Sequence, residues 1–345
     1  MKIVSCDHFF KLNFYKMKLS LRLLLLLPFI FVMVGCPADD ETTPIQSRPY
    51  LEVYNEDIAE IEDFMNSHYI TVDANYNVTF TKISATTPGT PIFDALDTST
   101  SQNNAAKPLK FKTILKEGVN HKLYYLKLNE GAGSNPTRLD SVFTAYKGYK
   151  TDLSSFDAAS SPTWFQLQDL VQGWQEVFPE FKSSNGQTIN SDGTINFTNF
   201  GAGVMFVPSG LAYFSETGGG TIGSYTPIIF SFKLMNVRYK DHDGDKILSK
   251  DEYGGPTSGT PLDTDGDGKP NYADFDDDND GRLTKDEIKY TYLDGLITKT
   301  AWYPYQGILV DVPSTPIDET KGIPSCSGNF TLPTRIRKHL DSSCQ

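Results

Sequence analysis

Between residues 109 and 237 apolar and polar positions alternate in short runs separated by turn-forming residues, a pattern of strands rather than helices. The runs fall at residues 109–115, 123–128, 141–146, 194–200 and 228–237, and residues 167–174 form the one short helical stretch among them. Upstream, Ile58, Ile61 and Met65 recur at helical spacing, which predicts a helix over residues 55–65 with Asn55 as its cap. Residues 69–83 alternate around Asn75-Tyr76-Asn77 and predict a hairpin. Residues 84–108, rich in Ser, Thr, Asn and Pro, predict a long flexible loop. Many strands and one brief helix predict an α+β fold, a curved antiparallel sheet packed on a short helix.

The densest apolar run lies outside this region. Lys16, Lys18 and Arg22 precede residues 23–34, a stretch broken only by Pro28 and too short to span a bilayer comfortably. It fits the apolar part of a signal peptide. It ends in Met33-Val34-Gly35-Cys36, which resembles the lipobox of bacterial lipoproteins. That resemblance implies loss of residues 1–35, lipid on Cys36, and residues 36–49 as a polar, Pro-containing tether at the bacterial cell envelope. In an exported chain the two late cysteines, Cys326 and Cys344, are expected to pair, with a metal site as the alternative.

Charge changes the picture at one place. The 345-residue chain carries a net charge of −12, and residues 239–294 hold 16 acidic against 7 basic side chains, so −9 of it sits in one block. Such a surface suits a cation and disfavours nucleic acid, which needs a basic face. Within the block Asp276, Asp278, Asp280, Gly281 and Glu287 stand at positions 1, 3, 5, 6 and 12 of a calcium loop, with the carbonyl of Arg282 at position 7 and Thr284 at position 9. A hard cation takes six to eight oxygens, the glycine permits the sharp turn, and the last glutamate binds through both oxygens. Leu283, at position 8, is expected to pair in a small sheet between loops.

Asp241, Asp243, Asp245 and Glu252 repeat the spacing, with Ser249 at position 9 and Lys246 in place of the turn glycine. A left-handed non-glycine residue costs on the order of 1 kcal/mol, so a weaker site is expected there. Asp263, Asp265, Asp267, Asn271 and Asp274 make a further loop, in which Pro270 excludes a normal helix. The run DTDGDGKPNYADFDDDNDG resembles thrombospondin type 3 repeats. Structural calcium in a compact C-terminal extension over residues 239–294 is the expectation. The tail, residues 295–345, carries the cysteine pair, and its basic stretch 334–339 is expected to be a solvated helical turn.

Residues 109–238 resemble FKBP-type peptidyl-prolyl isomerases in several ordered pieces. SVFTAYKG (141–148) resembles the strand bearing a pocket tyrosine, Tyr146, and Phe156-Asp157 the family's phenylalanine–aspartate pair. LVQGW (170–174) resembles the helix whose tryptophan, Trp174, floors the pocket, and PSGLAY (208–213) the run ending in a second pocket tyrosine, Tyr213. Ile222 and PIIFSFKL (227–234), with Phe230, resemble the flap isoleucine and the closing strand.

The resemblance implies an FKBP-like sheet and a pocket of Tyr146, Phe156, Asp157, Leu170, Val171, Trp174, Tyr213, Ile222 and Phe230. It implies proline-containing polypeptide clients, and a monomer is expected. Two residues depart from the pattern: Phe214 stands where the family has glycine, and Thr163 where it has a pocket aromatic. They leave open a narrowed pocket, and with it a client-binding module of weak catalysis; a purely structural calcium-dependent surface protein is a third reading. His8, His68, His121, His242 and His339 are scattered and suggest no catalytic histidine. Cys36→Ser should move the protein from the membrane to the soluble fraction; a variant that still sediments with membrane refutes the anchor.

Overall fold

The computed structural model describes residues 47–254 and 261–344; Cys36 and the apolar run before it lie outside the described residues. Helix α1 (Tyr50–Ser67) starts directly after Pro49, so Asn55 lies within the helix rather than capping it. Strands β1 (His68–Val72) and β2 (Val78–Lys82) form the expected hairpin, Ile70 opposite Phe80. The segment expected as a flexible loop is tied down from inside. Asp97, only 2% exposed, accepts the backbone N–H of Ser99 and of Asn104 and binds the buried Lys110 ammonium at 2.7 Å. Its polar residues serve an inward-facing carboxylate, which composition alone does not reveal.

The main sheet uses β3 (Leu109–Lys116), β4 (Val119–Asn129), β5 (Ser141–Lys150) and β6 (Ser155–Gln166). After α2 (Gln172–Val177), β7 (Gly186–Ile189) and β8 (Ile195–Thr198) pair only with each other through the turn at Asn190–Thr194. The strand expected at residues 194–200 therefore stands outside the main sheet. β9 (Gly201–Val207) and β10 (Ile228–Arg238) complete six antiparallel strands in the order β3-β4-β9-β10-β5-β6.

Two of these strands break the alternation rule. β9 (GAGVMFV) is buried at every position, because both faces of the sheet are covered and no polar face remains. β6 is an edge strand with no fully buried position, where Pro162 is tolerated. One face packs Tyr125, Met205, Val207, Phe230 and Phe232 against Trp174, Val177 and Phe178 around α2. The other packs Tyr124, Leu126, Val204, Phe206 and Ile229 against Ile61, Phe64 and Met65 of α1 and Phe80 of β2. The sheet thus has a helix on each side rather than one. Among the described residues no helix is long and apolar enough to cross a membrane.

In the C-terminal part, single-turn helices α3 (Ser249–Glu252) and α4 (Thr284–Glu287) close two of the acidic loops, and β11 (Lys289–Asp294) pairs with β12 (Ile297–Trp302). Ile247, Ile288 and Ile323 pack there with Tyr303 and Tyr305. Leu283 belongs to no strand and is 39% exposed, so the expected sheet between loops is absent among the described residues. Cys326 and Cys344 are bonded, their Cα atoms 5.3 Å apart. The basic stretch does end in a helical turn, the 3-10 turn Lys338–Leu340, but it is not solvated. Arg335, Arg337 and His339 are buried, Arg335 donates to the Ile323 carbonyl at 2.7 Å and Arg337 lies 3.6 Å over the Tyr305 ring.

Helix α1 is bound to the far side of the sheet by a buried carboxylate. Asp57 accepts the backbone N–H of Ser209 at 2.7 Å and its hydroxyl at 2.6 Å, and burial pushes its pKa from 3.8 up to about 6. Between those values the folded protein holds more protons than the unfolded chain, so this contribution is complete below pH 3.8 and is lost as pH rises through about 6. Asp57→Asn keeps an acceptor for Ser209 and removes that slope. Urea unfolding at pH 4 and pH 7 should therefore show the variant gaining on the wild type only at pH 7; an equal difference at both values excludes the effect.

Candidate active site and acidic loops

On the α2 side of the sheet a cavity of about 140 Å³ opens beside Tyr146. Trp174, 3% exposed, forms its floor, with Tyr146 edge-on at 5.0 Å, Phe230 edge-on at 5.2 Å and Phe178 stacked beneath at 4.7 Å. Two glycines make this packing possible. A Cβ at Gly148 would stand 2.5 Å from the Phe156 ring, and one at Gly173 would stand 2.6 Å from Val207. Leu170 and Val171 enter from the turn that precedes α2.

Every expected pocket residue lines the cavity except Ile222, which is 3% exposed and buried in the core cluster instead. Phe165 and Asp169 line it unexpectedly. Thr163 pairs with Thr144 in the β5–β6 ladder, and the aromatic role passes to Phe165, 5.6 Å from Tyr146 and 6.1 Å from Trp174. Phe165 lies two residues after Thr163 on the same face, so strand periodicity was the available signal.

The polar groups of the cavity are few. Tyr146 donates its hydroxyl to Asp157 Oδ2 at 2.5 Å, and the other oxygen of Asp157 accepts the Ala158 N–H at 2.8 Å. Burial, and then the hydrogen bond to Asp157, hold the Tyr146 hydroxyl protonated well above its ordinary range. The Tyr213 hydroxyl has no hydrogen-bond partner among the described residues, and burial raises its pKa as well. It is a donor free to meet a ligand carbonyl. A larger hollow of about 630 Å³ beside Asn103 and Glu130 is lined mainly by polar groups, whereas one of about 300 Å³ is lined by Ile70, Ile92, Leu126 and Leu128.

Phe214 follows Tyr213 in the left-handed region, at φ 51°. This is the conformation that favours the glycine of the family pattern, and a phenylalanine there costs on the order of 1 kcal/mol. That backbone turns the ring away from the cavity and onto α1, where it stacks on Tyr50 at 3.8 Å and meets Tyr225 edge-on at 5.1 Å. Stacked and edge-on aromatic pairs offset the strain. Phe214 therefore does not narrow the pocket.

The three acidic loops share one backbone plan. The N–H of Lys246, Gly268 and Gly281 donates to Asp241, Asp263 and Asp276 respectively, and these donors sit at φ 85°, 93° and 91°. Lys246 thus adopts the glycine conformation. Ser249, Asn271 and Thr284 accept the N–H of His242, Thr264 and Asp277. Asn271 also donates to the Thr264 hydroxyl at 2.8 Å, so it braces its loop and is not free as a ligand.

In the first and last loops the remaining oxygens are buried without hydrogen bonds. These are both oxygens of Glu252 and of Glu287, Oδ2 of Asp243, Asp245, Asp278 and Asp280, and Oδ1 of Asp276. Burial, then neighbouring carboxylates, push Glu252 up to about 10 and Glu287 up to about 8. Converging, unpartnered carboxylates cost several kcal/mol as bare charges, and the donor set fits a hard divalent cation. The middle loop differs: Asp263 and Asp267 are exposed, and Asp274 accepts the Asp276 N–H and faces Lys269 at 3.4 Å. Asp277 escaped the spacing argument, since only its neighbours fit the loop positions; it is 2% exposed, with both oxygens unpartnered.

A family model described as BamM C-terminal matches residues 236–317, the acidic loops and the hairpin after them. The outer membrane protein MIP of Legionella longbeachae is 27% identical over 128 residues, covering 36% of this chain and 46% of that protein. The probable FKBP-type peptidyl-prolyl cis-trans isomerase FkpA of Neisseria meningitidis is 28% identical over 118 residues, covering 33% of this chain and 38% of that protein. The structure of FkpA from Escherichia coli is 24% identical, covers 37% of this chain and 51% of that one, and has a TM-score of 0.28. The chain spans about half or less of the length of these relatives. Over roughly a third of its own length, the chain is similar to FKBP-type peptidyl-prolyl isomerases.

Proposed function

We propose that the chain is a peptidyl-prolyl cis-trans isomerase acting on proline-containing polypeptides at the bacterial cell envelope, anchored through lipid on Cys36, with structural calcium in its acidic loops. The observation that carries this reading is the aromatic cavity with its single oriented pair, Tyr146 and Asp157, and the free hydroxyl of Tyr213. Rotation about an X–Pro bond must overcome about 18–20 kcal/mol of amide resonance, while cis and trans differ by only about 0.5–1 kcal/mol. No bond breaks, so neither base nor nucleophile is required, and Asp157 is already engaged with Tyr146.

The cavity supplies what the reaction needs. Trp174, Phe156 and Phe230 take the proline ring into an apolar, water-poor site that favours the twisted amide, whose nitrogen has lost its conjugation. Tyr213 donates to a substrate carbonyl and fixes the peptide while the bond turns. Asp157 keeps the Tyr146 ring in place as one wall. Phe214 and Thr163, the departures behind a weakly catalytic reading, both lie off the cavity wall, which favours turnover over binding alone. Calcium would be held by Asp241, Asp243, Asp245 and Glu252 and by Asp276, Asp278, Asp280 and Glu287, neutralising carboxylates that otherwise repel.

Cis–trans exchange of an X–Pro peptide tests the reading. Trp174→Leu, Tyr213→Phe and Asp157→Val should each lower kcat/KM by roughly tenfold or more, about 1.4 kcal/mol of transition-state stabilisation, with the fold retained. A wild type that gives no acceleration over background with calcium present ends the enzymatic reading. Phe214→Ala should leave kcat/KM within about twofold and lower unfolding stability by about 3 kcal/mol, the usual scale for a buried phenylalanine. A large change in kcat/KM at unchanged stability would return Phe214 to the pocket.

A further inference from the structure

We propose that Asp277 completes the cation site of the first acidic loop, so that one calcium-class divalent ion is held jointly by residues 241–252 and a side chain of the third loop. The inference rests on the calcium part of the proposed function and goes beyond it by assigning a ligand from outside the loop.

Asp277 does not belong to its own loop's ring. Asp276 and Asp278 on either side of it converge with Asp280, whereas an Asp277 carboxylate oxygen lies within 4.8 Å of oxygens from Asp245 and Glu252. Asp245 in turn converges with Asp241 and Asp243 within the same distance. Asp245 thus links two triads into a five-carboxylate group. The Asp277 side chain is fully buried, and neither of its oxygens has a hydrogen-bond partner among the described residues; the same holds for both oxygens of Glu252. His339 Nε2 stands 4.0 Å from Asp277, beyond hydrogen-bond reach. The neighbouring Asn271 amide, which gives one of its two N–H groups to Thr264 at 2.8 Å, makes no hydrogen bond of normal geometry to Asp277.

Two buried carboxylates facing each other across a gap, each without a donor, keep their charge only with a cation between them; without one they must take up protons. Hard cations of six to eight oxygens match this group in number and kind. The extra carboxylate also alters the ranking of the sites. The lysine at the turn of the first loop predicts weaker binding, and Asp277 restores what that turn loses. Because Asp277 is flanked by ligands of the third loop, filling either site fixes the backbone that serves the other, which couples the two.

The test uses calorimetric titration of the full chain with calcium alone. Glu287→Gln cripples the third loop and leaves the first to be read; Glu252→Gln does the reverse. Asp277→Asn should weaken calcium binding at least tenfold in the Glu287→Gln background and less than threefold in the Glu252→Gln background. The opposite pattern, or no change in either, overturns the proposal while leaving calcium binding intact. A wild type that takes up no calcium overturns it together with the calcium reading. Thermal melting separates a ligand from a scaffold residue: without calcium, Asp277→Asn should melt no lower than wild type, and its upshift with calcium should be smaller. A calcium-free loss as large as the calcium-bound one makes Asp277 structural and refutes the assignment.

Discussion

With no side chain at Gly173, α2 lies flush on β9, and the next residue, Trp174, slides under β10. A methyl group there would meet Val207 at 2.6 Å and lift the helix from the sheet. The stack of Trp174 on Phe178 and of Phe178 on Phe232 continues this contact into the core, so the cavity floor is an extension of the best-packed part of the molecule. A site that works by shape and apolarity, with no reactive group, depends on such rigidity more than an acid–base site does.

The opposite side of the sheet governs the other half of the cavity. The segment that presents Tyr213 is held from behind by α1 and the residues just before it: Asp57 on Ser209, Tyr50 on Phe214, and the backbone N–H of Arg48 on the Tyr225 hydroxyl. A separate tie joins the sheet to the acidic loops. Asp140, fully buried at the start of β5, accepts N–H groups from Thr137 and from Lys240, where the chain enters the first loop. The pocket and the acidic loops are therefore fastened to the same strand.

The pocket was legible in the sequence to the extent that it rests on short ordered runs such as LVQGW and PSGLAY. The acidic loops were legible as a repeated aspartate spacing, to which the structure gives one shared backbone plan. What escaped depends on burial that no local pattern encodes. β9 reads as a featureless apolar run because both its faces are covered. Phe214 reads as an intruder because its glycine-like backbone angle, which sends the ring outward, is set by a helix far away in the chain. Arg335 and Arg337 read as solvated, since charge argues for exposure until a carbonyl and a tyrosine ring are found to receive them. Asp277 hid in a run of aspartates because its partners belong to another loop.

The position of α1 bears on how this protein can be divided. The segment that carries the isomerase-like motifs, residues 109–238, excludes that helix and the hairpin after it, yet they cover Tyr124, Phe206 and Ile229 on the reverse face of the sheet. An excised segment would display that face as a continuous apolar surface prone to self-association. Its Tyr213 loop would also lose its backing. Such a fragment would test aggregation and a slack loop rather than the cavity itself, so the smallest faithful unit begins ahead of Tyr50.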